Sequence, residues 1–184
     1  FFGMIGMAIA VATTLTLTQN WILILGCIAV GGLIGAIVAQ RVQMTAMPEL
    51  VAFMHSLVGL AAVFIAIAAV NNPVSFGLPA VLPAGSKLEL FLGTFIGAMT
   101  WSGSVIAFLK LSGRMSGTPI VFSGQHAENL LLALAMVGCG LWFFFSETTN
   151  WTAFIAMPAI AFVLGSLIII PIGGADMPSA SSML

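Results

Sequence analysis

The chain has 184 residues, of which 61% are hydrophobic and 5% charged, and its formal net charge is −1. Soluble domains carry about 25% charged residues and about 45–50% apolar ones. Four Lys/Arg and five Asp/Glu cannot solvate the surface of a globule this long. A soluble globule and a disordered chain are thereby excluded. With no basic patch, nucleic acid is not a partner, and the chain reads as a membrane protein whose partner is the lipid bilayer.

Spanning the hydrocarbon core takes about 20 mostly apolar residues. Six stretches approach that length: 3–18, which is somewhat short, then 21–39, 48–70, 88–109, 126–145 and 152–170. Lipid offers no partners to backbone polar groups, so runs this long are expected as helices. The alternating segments of about ten residues that build a transmembrane β-barrel are absent. The predicted fold class is all-α, a polytopic transmembrane helix bundle with six spans. Residues 1–184 are expected to form a single transmembrane domain. The chain opens on Phe1-Phe2 with no basic leader and stops at Leu184 in what reads as the start of another helix, so a longer protein is expected.

The connections alternate in character. Residues 18–20 and 146–150 read as tight turns, 40–47 carries Arg41, and 112–125 carries Arg114 with Lys110 at its edge. Residues 71–86 hold Pro73, Pro79 and Pro83 and are expected to lie across the membrane surface. Six antiparallel spans put Arg41, Lys110 and Arg114 on one side and Lys87 on the other, so the positive-inside rule makes the first side cytoplasmic. Trp21, Trp142 and Trp151 then fall on the opposite face as an aromatic belt, with Trp101 inside the fourth span. Gly31/Gly35 and Gly93/Gly97 form GxxxG pairs, read as helix-packing positions. Cys27 and Cys139 sit in apolar runs and read as small buried hydrophobes.

His55 is the residue that demands explanation. It lies seven positions after Pro48, so about 10 Å along the axis and about a third of the way across the core. A titratable side chain at that depth is a functional-site hypothesis by default. Desolvation favours the neutral imidazole, while an acceptor or a water chain favours the charged form. The competing reading is a neutral histidine satisfied by a neighbouring group. In the fourth span Thr100, Ser102 and Ser104 offer hydroxyls, with Ser104 at a depth similar to His55. They could bond the imidazole or hold water, or serve only as small packing residues.

Glu89 reads as a first-turn acid at the start of the fourth helix, favoured by the helix dipole, or as a proton collector at the outer mouth. Glu49 carries the same ambiguity at the cytoplasmic end, His126 and Glu128 read as a solvated boundary, and Glu147 as a loop residue. Gly173-Gly174-Ala175-Asp176-Met177-Pro178 is a helix break whose Asp176 can cap the next helix or meet a soluble partner. No P-loop and no GxGxxG is present, so no nucleotide is expected on this segment. No metal-ligand spacing is present either, and two histidines at different depths cannot form a transmembrane haem pair.

The run Met44-Thr45-Ala46-Met47-Pro48-Glu49-Leu50-Val51-Ala52-Phe53-Met54-His55-Ser56-Leu57-Val58-Gly59-Leu60-Ala61-Ala62 resembles the β subunit of proton-translocating NAD(P) transhydrogenase. So do residues 91–98, 103–108 and 173–178. The resemblance covers nearly all of the chain, with Met54, Thr100 and Trp101 at positions where the family varies. It implies an enzyme that transfers hydride from NADH to NADP+ between two peripheral domains, coupled to inward proton movement through the membrane domain. His55 matches the family's proton-carrying histidine, Ser104 and Glu89 match pathway positions, and Asp176 matches the acid facing the NADP(H)-binding domain. Thr100 joins the pathway set, and Gly173 and Gly174 join Asp176 as interdomain coupling residues. NAD(H) and NADP(H) would be bound by the peripheral domains, with no cofactor in this segment. The implied partners are the α-subunit membrane helices and those domains, in a homodimer of the complex. The implied location is the bacterial inner membrane, or the mitochondrial inner membrane in a eukaryote. Two other readings compete: a non-redox proton-linked transporter subunit, and a structural membrane subunit with His55 inert.

Overall fold

Prolines and orphaned backbone groups set the helix ends. The computed structural model describes residues 2–17, 20–146 and 150–174. Among these residues the elements are α1 (Phe2–Leu17), α2 (Trp21–Arg41), α3 (Met47–Asn71), α4 (Ala84–Leu111), α5 (Gln125–Phe145) and α6 (Trp151–Ile169). Short 3-10 turns at Met44–Ala46 and Pro73–Phe76 flank α3. Pro48 sits in the first turn of α3, where its missing N–H would have been unsatisfied anyway. Pro73 ends the helix by keeping Asn72 out of the α region. Asn150 caps α6, its Oδ1 accepting from the Ala153 N–H at 3.2 Å.

The third, fifth and sixth spans match expectation within one or two residues, but α4 starts four residues before the expected 88. Pro83 bars Leu82 from helical geometry, and the Lys87 N–H closes the first turn onto the Pro83 carbonyl at 3.0 Å. The polar run Gly85-Ser86-Lys87 is therefore helix rather than loop. Glu89 consequently lies in the second turn of α4, not the first, which weakens any dipole account of it. The connection between α3 and α4 shortens accordingly and tucks Leu82 into the core.

Five of the helices are long and apolar enough to cross a membrane. α1, with 16 residues, spans only about 24 Å at 1.5 Å per residue. The described residues fall into two compact units, one within 1–43 and one within 44–184. In the first unit, the hydroxyls of Thr13, Thr14 and Thr16 turn back onto carbonyls of their own helix, which hides them from an apolar surrounding. No residue of α2 is buried, and a Cβ on Gly31 or Gly35 would meet nothing within 4 Å. Within 1–43 these glycines bring no backbones together.

In the second unit α4 and α6 are central, α3 flanks α4, and α5 flanks α6. The core runs from Val63, Ala66 and Val70 of α3 through Ala98 of α4 to Phe154, Met157 and Leu164 of α6 and Met136 and Phe143 of α5. Phe143 and Phe154 join α5 to α6 with ring centroids 5.2 Å apart. A smaller cluster of Ala52, Ala107 and Ile169 closes the other end. Two contacts set how closely α4 is held. On one face, a Cβ on Gly59 would lie 2.6 Å from the Gly97 carbonyl oxygen, and one on Gly97 would lie 2.8 Å from that of Gly59. On another, a Cβ on Gly165 would lie 2.7 Å from the Met99 carbonyl oxygen. Gly93, the other half of its GxxxG, faces open space. Gly97→Ala and Gly59→Ala are therefore expected to destabilise the bundle by about 1–3 kcal/mol, as overpacking does. Gly93→Ala should leave it unchanged, which thermal melts of the detergent-solubilised protein will show.

Candidate functional site

His55 stands at the ninth position of α3 and is half-buried. It lies on the edge of the buried stripe formed by Ala52, Ser56, Gly59 and Val63. Its Nδ1 is 3.0 Å from the Val51 carbonyl oxygen one turn back. A carbonyl only accepts, so Nδ1 carries the hydrogen and Nε2 is left with a lone pair. The imidazole can thus take a proton at Nε2 without giving up the bond that orients it. Ser56 does not compete for that nitrogen, because its hydroxyl donates to the Phe53 carbonyl at 2.6 Å.

Helix register places the predicted companions. The Phe53 and Phe108 rings are 5.5 Å apart, Ala52 and Ala107 share a cluster, and Gly59 abuts Gly97, Thr100 and Trp101. In antiparallel helices these pairings carry His55 to the level of Ser104. Ser104 is 2% exposed and Thr100 8%. Among the described residues neither hydroxyl has a hydrogen-bond partner, whereas Ser102 bonds back to the Ala98 carbonyl at 3.2 Å. Ser102 faces Gly165 of α6, so it stands apart from the His55 side. Thr100 and Ser104 follow Gly97 and Gly93 at spacings of three and four, on one face of α4.

That same face continues to Ser86 and Glu89. With Ala62, Ala66 and Ala69 of α3 and Gly93, these two residues line a groove of about 410 Å³. Ala62 and Ala69 follow His55 by two and four turns, so the groove and His55 share an edge of α3. Glu89 is exposed at the groove mouth, about 22 Å of helix from His55. The Gly59–Gly97 contact separates the two. The structure therefore sets Ser104 at the level of His55, with Thr100 one turn away opposite Gly59, and leaves Glu89 at the far end of the groove. Glu49 is half-buried, and His126 and Glu128 are exposed at the start of α5.

The end of α6 nearest this level is tied by tertiary donors. Pro171 has no N–H for the Leu167 carbonyl, and Gln125 Nε2 donates to it at 3.2 Å. Lys110, 4% exposed, donates from Nζ to the Ile170 carbonyl and to that of Ile172 at 2.8 Å. The loop after α4 joins them, with the Gly174 N–H 2.8 Å from the Gly117 carbonyl oxygen. Gly173 and Gly174 thus lie directly beyond a clamped helix end. Asp176 and Glu147 lie outside the described residues. At the opposite end of α4, Lys87 is buried and donates to the Ser146 carbonyl at the close of α5. Trp142 and Trp151 stand at this same end, as an aromatic belt requires.

Among the described residues, no group of three His, Cys, Asp or Glu could hold a metal ion. The groove does not fit a dinucleotide either, since it offers a carboxylate and no cation to meet phosphates.

Comparison with known proteins decides the family. The family described as "NAD(P) transhydrogenase beta subunit" matches residues 1–184. The chain belongs to that family. Two NAD(P) transhydrogenase subunit beta sequences from Rhodospirillum rubrum are each 49% identical to it over 186 residues, covering 99% of this chain and 40% of the relative. The chain thus spans well under half the length of these transhydrogenase relatives. Within this transhydrogenase segment, sequence reasoning passed over Gly59, Lys87, Lys110 and Gln125. Pro171 was the available signal for Gln125, because it strips the Leu167 carbonyl of its helical donor. Two outcomes are expected. Nitrogen-15 NMR of His55 should show the neutral ring protonated at Nδ1, and the Nε2–H tautomer would contradict the geometry. Gln125→Leu should destabilise the bundle by about 1–3 kcal/mol in equilibrium unfolding, through the carbonyl left bare.

Proposed function

We propose that this segment is the proton-conducting part of an NAD(P) transhydrogenase, with His55 as the proton carrier. The observation that carries the reading is His55 itself. Among the described residues it is the one Asp, Glu, His, Lys or Arg side chain more than two turns from either end of its helix. It also keeps an unused ring nitrogen at the level of the unpartnered Ser104 hydroxyl, with that of Thr100 one turn away. Protonation of Nε2 creates a charge in a weakly polar surrounding, which Thr100 and Ser104 can meet with their oxygen lone pairs. The groove from Glu89 gives water a route from one membrane face down to the Gly59–Gly97 contact, and Glu89 gathers protons at its mouth. His55 then alternates between that route and the opposite face.

Coupling to chemistry requires that the two access states differ in their free energy with a partner. The full enzyme would transfer hydride from NADH to NADP+ on peripheral domains, with Gly173, Gly174 and Asp176 facing the NADP(H)-binding one. The α-subunit helices would complete the membrane part, in a homodimer within the bacterial inner membrane or its mitochondrial counterpart. In this frame Lys110 and Arg114 mark the cytoplasmic side. The test is His55→Ala in the complete enzyme, reconstituted in sealed vesicles. Proton uptake during NADPH formation should fall about a hundredfold or more, the usual scale for losing a positioned proton carrier. Undiminished pumping would sink the assignment.

A further inference from the structure

Lys110 is chemically out of place unless it has a task. It is almost fully buried, and among the described residues it has no carboxylate partner. An ammonium withdrawn from water is strongly disfavoured unless acceptors replace the lost solvent. Here they are the Ile170 and Ile172 carbonyls, at the negative end of the α6 dipole. Two features direct this contact. Both carbonyls lie just past the last residue of α6, Ile169, where the helical ladder has ended, and Gly173-Gly174 follows at once, a joint with little backbone stiffness of its own.

On the other side, Lys110 belongs to the helix that carries Thr100 and Ser104. Met99, Ser102, Ile106 and Lys110 recur at three- and four-residue spacing along the α6-facing side of α4, where Gly165 closes onto Met99 and Ser102. Gly97, Thr100 and Ser104 occupy the side facing α3 and His55. α4 is therefore one rigid element with the α6 joint bonded to one side and the His55 companions on the other. Gln125, by contrast, ties α6 to the start of α5.

We infer that Lys110 is a positioning residue that transmits displacement of the Gly173–Gly174 joint to the α4 face opposite His55. A shift of whatever follows the joint pulls on the Ile170 and Ile172 carbonyls, and the ammonium passes it to α4. The Thr100 and Ser104 hydroxyls then move relative to the imidazole. The inference rests on the proton-carrier reading above, since it concerns how that site is coupled.

The experiment uses the complete enzyme in sealed vesicles and reads protons taken up per NADPH formed. Lys110→Met should lower that ratio roughly five-fold or more, the lower end of ordinary coupling between sites, and Lys110→Arg should restore it. Lys110→Gln keeps a shorter neutral donor that reaches one carbonyl rather than two. It should give an intermediate ratio and carries the test if Lys110→Met does not assemble. Gln125→Leu should lower thermal stability and leave the ratio unchanged. An unaltered ratio in Lys110→Met or Lys110→Gln, whatever the rates, overturns the inference. An equal fall in Gln125→Leu overturns it too, since the effect would then be general loosening of α6. His55→Ala separates the two readings: if it abolishes proton uptake while the Lys110 variants stay fully coupled, only the Lys110 inference fails.

Discussion

Lipid tails are as apolar as leucine, so helices in a bilayer gain little by hiding hydrophobic surface from one another. Association must come from contact at short range, and in this chain that contact is backbone against backbone. Gly59 meets Gly97 on one side of α4, and Gly165 meets Met99 on another. Both distances leave no room for a Cβ, so the axis of α4 is set relative to α3 and α6 by the absence of side chains. Everything near His55 inherits that spacing. Thr100 and Ser104 stand opposite α3 because Gly97, one turn before the first and two before the second, allows the approach.

The same crowding has an electrostatic side. Where backbones touch there is little room for water, and the medium around His55 is less polar than bulk solvent. In such a medium a proton on the imidazole interacts strongly with any oxygen within reach. The hydroxyls of Thr100 and Ser104, with no other commitment among the described residues, are then a significant part of its surroundings. The bond from Nδ1 to the Val51 carbonyl keeps the ring from turning away, so the proton-accepting atom keeps a defined direction. A tight glycine contact and an oriented imidazole are thus aspects of one packing solution rather than two separate features.

Much of this was legible in the amino-acid order. Apolar runs bounded by Pro48 and Pro73 mark α3 to within a residue, and a lone histidine inside one of them marks the candidate site. The equal depth of His55 and Ser104 follows from counting residues inward from the same edge, and the helix register agrees. Other features were not legible, for definite reasons. The start of α4 was misplaced because Gly85, Ser86 and Lys87 are polar, although a first helical turn with free N–H groups tolerates polarity well. The packing glycines were guessed from GxxxG spacing, which marks faces but not neighbours. Gly97 was among them and Gly59 was not, while a Cβ on Gly93, or within 1–43 on Gly31 or Gly35, would meet nothing within 4 Å. Lys87 and Lys110 read as loop charges because composition cannot show that a distant carbonyl awaits them.

Those two lysines sit near opposite ends of one 28-residue helix, each fastened to the closing carbonyls of a different neighbour. A rod pinned at both tips cannot slide lengthwise without breaking one fastening, but it can still roll. Rolling sweeps side chains sideways across the facing helix, while a piston stroke would change their depth in the membrane. It follows that α4 tolerates length changes poorly. Deleting a single residue between the pins would turn everything beyond it by about 100° and shorten the rod by about 1.5 Å. The connections outside the pins hold no helical register, so a change of length there does not rotate the side chains of α4.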